Sequence, residues 1–142
     1  MILFVDDEPF FVDAYYESLK EEGFDVLLEK RLKTAMKVFR ERRDDITLVI
    51  TDIMMPPGGA FETADKPDLD LTTGFAFYDW IRKESPTIPV IVLTNNTMPE
   101  VDQKFGAEPN CVVFRKGPYC PSGKLIQQVR DMLDDEPLKT TV

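Results

Sequence analysis

The amino-acid sequence predicts an α/β fold, a doubly wound parallel sheet of five strands with five helices on its two faces. Three observations support this prediction. Short apolar runs alternate with segments whose apolar residues recur at helical spacing. The run Val90-Ile91-Val92-Leu93 is entirely apolar, as expected of a strand that is buried on both faces of a parallel sheet. The chain has 142 residues, a length that suits a single domain.

The strand candidates are short apolar runs that end at polar or turn-forming residues. They occupy residues 2–5, 24–28, 46–51, 90–93 and 112–114. The helix candidates carry apolar residues three or four positions apart. They occupy residues 11–22, 33–43, 75–84, 100–105 and 124–133. Because a helix candidate follows each strand candidate, we expect the strands to run parallel in one domain over residues 1–133. Residues 134–142 are expected to be a C-terminal tail or the start of a linker.

Residues 57–73 form an extended loop insertion between the third strand and its helix, in a position where connections are usually short. The insertion is net acidic, and the helix after it carries Phe77 and Trp80 outside the predicted core face. Two interpretations stay open. The insertion folds back over this second apolar stripe, or the stripe is an exposed surface for a partner or for a dimer.

Composition excludes several classes of function. The chain has no histidine, which excludes Ser-His-Asp and Cys-His catalysis, histidine-ligated zinc and a phosphohistidine carrier role. Cys111 and Cys120 have no metal or redox spacing and are predicted to be reduced structural thiols. The formal charge of −9 argues against direct nucleic-acid binding. No apolar run is long enough for a membrane span or a signal peptide, so we expect a cytoplasmic protein.

Five side chains with potential chemistry stand where predicted strands end. Asp6 and Asp7 close the first strand, Asp52 the third, Thr94 the fourth and Lys116 the fifth. Ligands of open α/β sheets bind at this edge, where the strand order reverses. If the order is 2-1-3-4-5, the reversal brings the three carboxylates together. Taken alone, each residue has a simpler explanation, since Asp7 also suits the cap of the following helix.

Three carboxylates at one point of the sheet require a positive counter-charge. At about 4 Å each pair repels by roughly 4 kcal/mol at an effective dielectric constant of 20. Carboxylate oxygens without His or Cys suit Mg²⁺, which keeps several waters and pairs with phosphate oxygens. Lys116 adds a compact positive charge and Thr94 adds a hydroxyl donor. This combination predicts a phosphoryl site on a carboxylate.

Four segments of the sequence resemble, in the same order, the motifs of the receiver domains of two-component response regulators. They are FVDDEP at 4–9, VITDIMMP at 49–56, VLT at 92–94 and FRK at 114–116. The resemblance extends from residue 2 to about residue 133. It implies a flavodoxin-like fold with strand order 2-1-3-4-5 and a role in two-component signal transduction.

The resemblance also implies a role for each residue of the site. Asp52 would accept a phosphoryl group from a phosphohistidine of a sensor histidine kinase or phosphotransfer protein, in a phosphorelay. Thr94 would bond a phosphoryl oxygen and Lys116 would pair with it. Four groups would hold Mg²⁺: Asp6, Asp7, Asp52 and the backbone carbonyl of Met54. Such a receiver catalyses only its own phosphorylation and dephosphorylation, is not a turnover enzyme, and signals by contacts with an effector protein.

Three positions depart from the family pattern. Gly117 stands where a proline usually follows the lysine through a cis bond, so either the Gly117–Pro118 bond takes over the turn or the lysine is displaced. Asn95 is larger than the usual Ala or Gly and is expected to crowd the phosphoryl pocket. Val113 replaces the usual Tyr or Phe, so a Thr–aromatic switch is not expected, and Phe114 is assigned to the core.

Two other functions deserve comparison with the phosphoacceptor. A phosphatase of the haloacid-dehalogenase type needs an Asp two residues after its nucleophile, where this chain has Met54. A degenerate receiver, which binds partners without phosphorylation, is compatible with Asn95 and Gly117 but not favoured by the intact site residues. We therefore expect a phosphoacceptor receiver.

Overall fold

Five parallel strands form one sheet in a computed structural model that describes residues 1–55 and 71–133. The strands are β1 (Ile2–Val5), β2 (Val26–Glu29), β3 (Leu48–Thr51), β4 (Val90–Thr94) and β5 (Cys111–Arg115). Their order in the sheet is β2-β1-β3-β4-β5, as predicted. The order reverses between β1 and β3, where Val5 lies opposite Thr51. The residues that follow these two, Asp6 and Asp52, therefore emerge side by side.

In the described residues, four α-helices connect the strands and a fifth follows β5. They are α1 (Pro9–Glu21), α2 (Leu32–Glu41), α3 (Leu71–Glu84), α4 (Pro99–Gly106) and α5 (Ser122–Leu133). The prediction of five helices is confirmed, with shifts at their ends. The helix α3 begins four positions before the predicted residue 75, because its first turn, Leu-Thr-Thr-Gly, has no apolar periodicity. The earlier part of the predicted insertion, 57–70, and the tail 134–142 lie outside the described residues.

The sheet is buried on both faces, because successive residues of a strand point to opposite sides. Ile2 and Phe4 of β1 face α1 and α5, whereas Leu3 and Val5 face the other helices. Phe77 is only 1% exposed and belongs to this second core, so its assignment to a separate stripe was wrong. Trp80, which is half-buried, stacks on the Phe77 ring.

Gly74 lets α3 approach the sheet directly behind the predicted site. A Cβ atom at this position would lie 2.2 Å from the carbonyl oxygen of Ile53, so only glycine fits. Ile53 follows Asp52 in sequence, and its own side chain is fully buried. The close approach of α3 therefore supports the backbone that carries Asp52. Across the two described ranges, no helix combines the length and the apolar character needed to cross a membrane.

Candidate functional site

Asp6 and Asp52 lie side by side at the carboxyl edge of the sheet, where the strand order reverses. The backbone N–H of Asp52 donates to the carbonyl of Val5 at 3.0 Å, which continues the pairing of β1 with β3 past the last strand residue. Asp6 is 0% exposed and Asp52 is 6% exposed. Two carboxylates are thus held in a nearly water-free position at the point where α/β sheets bind ligands.

The ammonium group of Lys116 lies between these carboxylates. Its Nζ atom is 2.8 Å from Oδ2 of Asp6 and 2.8 Å from Oδ2 of Asp52. The hydrogen-bond angles are satisfied only toward Asp52, so Oδ2 of Asp6 is a buried oxygen without an aligned donor. Lys116 is not displaced by Gly117. The alternative of a cis turn is not found either, because no peptide bond in the described residues is cis.

The second oxygen of each carboxylate is held by the backbone two residues later. The N–H of Glu8 donates to Oδ1 of Asp6 at 2.8 Å, and the N–H of Met54 donates to Oδ1 of Asp52 at 3.0 Å. These are Asx turns, which Asp forms readily at strand ends. In both residues the remaining oxygen, Oδ2, is therefore directed toward Lys116. The local sequence after each strand therefore fixes the orientation of the carboxylate.

The electrostatics of the site are unbalanced. Burial, together with the charge of Asp52, raises the pKa of Asp6 to about 6, and Lys116 offsets this rise only partly. Burial opposes the charge of Lys116, but attraction to both carboxylates outweighs it and raises the pKa of the lysine. Two carboxylates share one ammonium group, so the buried cluster has room for further positive charge.

Asp7 does not join this cluster. Its side chain is exposed, because neighbouring residues of an extended chain point in opposite directions and Asp6 points inward. In the part of the chain that the structure describes, no three His, Cys, Asp or Glu side chains lie close enough together to hold a metal ion. The fold therefore brings Asp6 and Asp52 together without the Asp7 side chain, and the assignment of Asp7 as a Mg²⁺ ligand stays a prediction.

The remaining donors still suit Mg²⁺. This ion commonly takes one or two carboxylates and completes its coordination with water and phosphate oxygens. Asp6 and Asp52 provide two adjacent carboxylates, and Oδ2 of Asp6 has no aligned donor. Met54, whose carbonyl is the other predicted ligand, follows Asp52 by two residues and is half-buried. The residues present therefore fit a magnesium ion.

Thr94 ends β4 beside this cluster and is fully buried. Its hydroxyl oxygen accepts a hydrogen bond from the N–H of Asn96 at 3.1 Å, and its carbonyl accepts from the N–H of Lys116 at 3.0 Å. Asn95 is exposed and does not crowd the site, contrary to the expectation from its size. Its side chain instead borders an open cavity of about 340 Å³ next to Lys116.

Val113, the position that departs from the family's aromatic switch, lies on β5 next to Phe114. Val113 is half-buried and packs against the core beneath α3 and α4. Phe114 is half-buried on the opposite face, where it packs against the core formed with α1 and α5. The assignment of Phe114 to the core is confirmed by this packing.

The sequence matches the family model of the response regulator receiver domain over residues 2–108. The chain belongs to this family. It is 30% identical over 70 residues to the two-component response regulator ARR11 of Arabidopsis thaliana. That match covers 49% of this chain and 13% of the relative, so the receiver spans only a small part of that protein's length.

Solved structures show the same fold. A receiver domain protein from Clostridium thermocellum is 23% identical, covers 97% of each chain and has a TM-score of 0.72. The chemotaxis protein CheY4 of Vibrio cholerae is 23% identical, with 93% of this chain and 97% of that chain covered and a TM-score of 0.70. The beryllofluoride-activated NtrC4 receiver domain dimer is 22% identical, with coverage of 94% and 96% and a TM-score of 0.73. These matches confirm the flavodoxin-like fold of the receiver.

One residue beside the site was missed at the level of sequence. Tyr15 looks like an ordinary core residue of α1, because it falls in the apolar spacing of that helix. Its hydroxyl contacts the loop after Lys116. The available signal was its chemistry, since a tyrosine on a core face needs a hydrogen-bond partner for its hydroxyl.

Proposed function

We propose that this receiver is a phosphoacceptor, phosphorylated on Asp52 by a partner histidine kinase or phosphotransfer protein in a Mg²⁺-dependent reaction. The supporting observation is the environment of Asp52. One of its oxygens is held by the backbone of Met54, and the other lies 2.8 Å from Lys116. Asp6 is less suited to attack a donor, because it is fully buried and its pKa is raised to about 6.

The proposed step is an in-line phosphoryl transfer. Oδ2 of Asp52 attacks the phosphorus of a phosphohistidine, a new P–O bond forms, and the P–N bond breaks as the imidazole leaves with its electron pair. The Lys116 ammonium pairs with the incoming phosphoryl oxygens and balances their negative charge. The Thr94 hydroxyl donates a hydrogen bond to one of these oxygens. Asp6, Asp7 and the carbonyl of Met54, together with Asp52, would hold Mg²⁺, which supplies further charge neutralisation when bound.

The product is an acyl phosphate, which water hydrolyses to restore Asp52. The position two residues after Asp52 is occupied by Met54, which cannot act as a general acid or base. We therefore infer a signalling switch that dephosphorylates itself, rather than a turnover phosphatase. Its output would be contacts with an effector protein. Dimer formation is one form that this output can take, since the beryllofluoride-activated NtrC4 receiver domain is a dimer.

The test is the intact mass of the protein after incubation with Mg²⁺ and acetyl phosphate. The wild type is expected to gain one phosphoryl group, and Asp52→Asn is expected to gain none. Asp25→Asn, which changes an exposed carboxylate before β2, is the matched control and should be modified like the wild type. Modification of Asp52→Asn would contradict the assignment of the acceptor.

If acetyl phosphate does not modify the wild type, a second phosphoryl donor has to be tested. The same experiment would then be repeated with a phosphorylated histidine phosphotransfer domain, and chelation of Mg²⁺ should stop the reaction. If no donor modifies the protein, the alternative of a phosphorylation-independent binding module replaces the proposal.

A further inference from the structure

One side chain of α1, that of Tyr15, holds the loop between β5 and α5 by hydrogen bonds. This loop begins directly after Lys116. The Tyr15 hydroxyl donates a hydrogen bond to the carbonyl of Cys120 at 2.5 Å. The same hydroxyl accepts a hydrogen bond from the N–H of Gly117 at 3.1 Å. Tyr15 is only 4% exposed, so both bonds lie away from bulk water. One phenol thus closes the loop at both of its ends.

Gly117 explains why this loop needs an external partner. The family pattern has a proline here, and a proline has a restricted φ and no N–H to satisfy. Gly117 adopts a φ of +86°, a conformation that favours glycine, and its N–H requires an acceptor. The Tyr15 hydroxyl is that acceptor. In this chain the N–H that glycine exposes at this position is therefore satisfied by a contact from α1.

The hydrogen bond between Gly117 and Tyr15 helps to fix the position of Lys116. The N–H of Lys116 donates to the carbonyl of Thr94 at 3.0 Å, and the next N–H along the chain, that of Gly117, is the one held by Tyr15. Consecutive peptide groups are therefore tied to β4 on one side and to α1 on the other. They flank the Cα atom from which the lysine side chain reaches Asp52.

Side-chain packing holds this loop on one side, where Cys120 is fully buried in the core formed with α1 and α5. An open cavity of about 200 Å³ lies beside it, lined by Ala14, Tyr15, Gly117 and Pro118 among others. A loop that borders open space, and that contains a glycine, has conformational freedom on that side. The two hydrogen bonds of Tyr15 oppose this freedom.

We propose that Tyr15 is a positioning residue for Lys116, and that its hydroxyl, acting through Gly117, replaces the proline of the family pattern. This inference rests on the proposed function, because the lysine is positioned to balance charge during phosphoryl transfer to Asp52. Tyr15 itself does not touch the phosphoryl group. Its hydroxyl keeps the ammonium of Lys116 beside Asp52 before the donor arrives.

The test compares Tyr15→Phe with Tyr78→Phe, each of which removes one buried phenolic hydroxyl and leaves the ring. The Tyr78 hydroxyl accepts a hydrogen bond from Nε of Arg82 at 2.8 Å, and Arg82 lies toward the opposite edge of the sheet. Both variants should lose stability to a similar extent. Tyr15→Phe is expected to lower the rate of phosphorylation by acetyl phosphate roughly tenfold, as a displaced catalytic group does, whereas Tyr78→Phe keeps the wild-type rate.

Amide hydrogen exchange supplies a readout that does not depend on phosphorylation. Exchange of the Gly117 N–H should become at least about tenfold faster in Tyr15→Phe and stay unchanged in Tyr78→Phe. Equal phosphorylation rates in the two variants, or unchanged exchange at Gly117, would overturn the role of Tyr15. If neither acetyl phosphate nor a phosphorylated histidine phosphotransfer domain modifies the wild type while exchange at Gly117 responds as expected, the proposed function has failed and the contact between Tyr15 and the loop stands.

Discussion

The two edges of the sheet differ in how completely their charged side chains are satisfied by hydrogen-bond partners. At the amino edge, the Arg82 guanidinium donates to the Tyr78 hydroxyl and to three backbone carbonyls at 2.6–3.2 Å. These carbonyls belong to Ile88, Pro109 and Asn110. Every one of these acceptors is uncharged, so the arginine joins α3 to the segments that lead into β4 and β5. This arrangement stabilises the fold and leaves its acceptors satisfied.

The carboxyl edge is less well satisfied. Asp6 and Asp52 share the single ammonium of Lys116, and Oδ2 of Asp6 has no aligned hydrogen-bond donor. Burial raises the pKa of Asp6 to about 6, which means that its ionised form is disfavoured in the fold. The carboxyl edge is therefore the less stable of the two edges. Functional sites commonly keep such local conflicts, and the rest of the fold compensates for them.

Removal of Lys116 should have the largest effect on the carboxyl edge. Lys116→Met leaves two adjacent buried carboxylates without a counter-charge, and breaking a buried ion pair in this way costs about 3–5 kcal/mol. The phosphorylation rate should also fall by about 100-fold. Urea unfolding and the acetyl phosphate assay measure the two effects. Lys33→Met, at an exposed position of α2, should change the unfolding free energy by less than about 0.5 kcal/mol.

Removal of Arg82 tests the amino edge. Arg82→Ala deletes four hydrogen bonds and should lower the free energy of unfolding by about 2–3 kcal/mol. The rate of phosphorylation should stay at the wild-type value, since this edge carries none of the proposed site. Arg130→Ala, which breaks an exposed ion pair with Glu22, should cost no more than about 1 kcal/mol. A loss of phosphorylation in Arg82→Ala would remove the distinction between the two edges.

Asp6→Asn should stabilise the metal-free protein while it impairs phosphorylation. The pKa of Asp6 is about 6 in the fold against a usual 3.8, so the unfolded chain releases this proton first as pH rises. The contribution of Asp6 to wild-type stability therefore falls between about pH 4 and 6, and the variant avoids this loss. We expect Asp6→Asn to be more stable by about 1–2 kcal/mol at pH 7, with no advantage below about pH 4.

Unfolding in urea with a chelator, at pH 4, 5 and 7, measures this difference. Asp25→Asn is the control, because it changes an exposed carboxylate outside the site. An advantage of Asp6→Asn that is the same at every pH would show that the ionisation of Asp6 is not its cause.

The smallest effect is expected at Asn95. Its side chain is exposed and borders the cavity of about 340 Å³ beside Lys116, so shortening it opens no blocked path. Asn95→Ala should keep the phosphorylation rate within about twofold of the wild type, as surface substitutions usually do. A large increase in rate would show instead that Asn95 obstructs the donor, as its size alone suggests.

Much of the fold was predictable because burial leaves a local pattern. Strands β1, β3 and β4 are buried on both faces, so they appear in the sequence as continuous apolar runs. The start of α3 was not predictable in this way, since its first turn is chosen by the approach of Gly74 to Ile53 and not by apolar spacing. The inward side chain of Asp6 and the outward one of Asp7 were likewise invisible, because both are acidic residues at a strand end.

The order of the elements and the residue types at the strand ends, Asp6, Asp52, Thr94 and Lys116, could be predicted from the sequence alone. These features depend on neighbours a few positions away, which any local pattern reports. The partners of these side chains depend on how the elements pack in three dimensions. Lys116 meets Asp52 across 64 positions, and Gly117 meets Tyr15 across 102. Such pairs form when β1, β3 and β5 come into register and α1 packs beside the loop, and that packing is a property of the whole core.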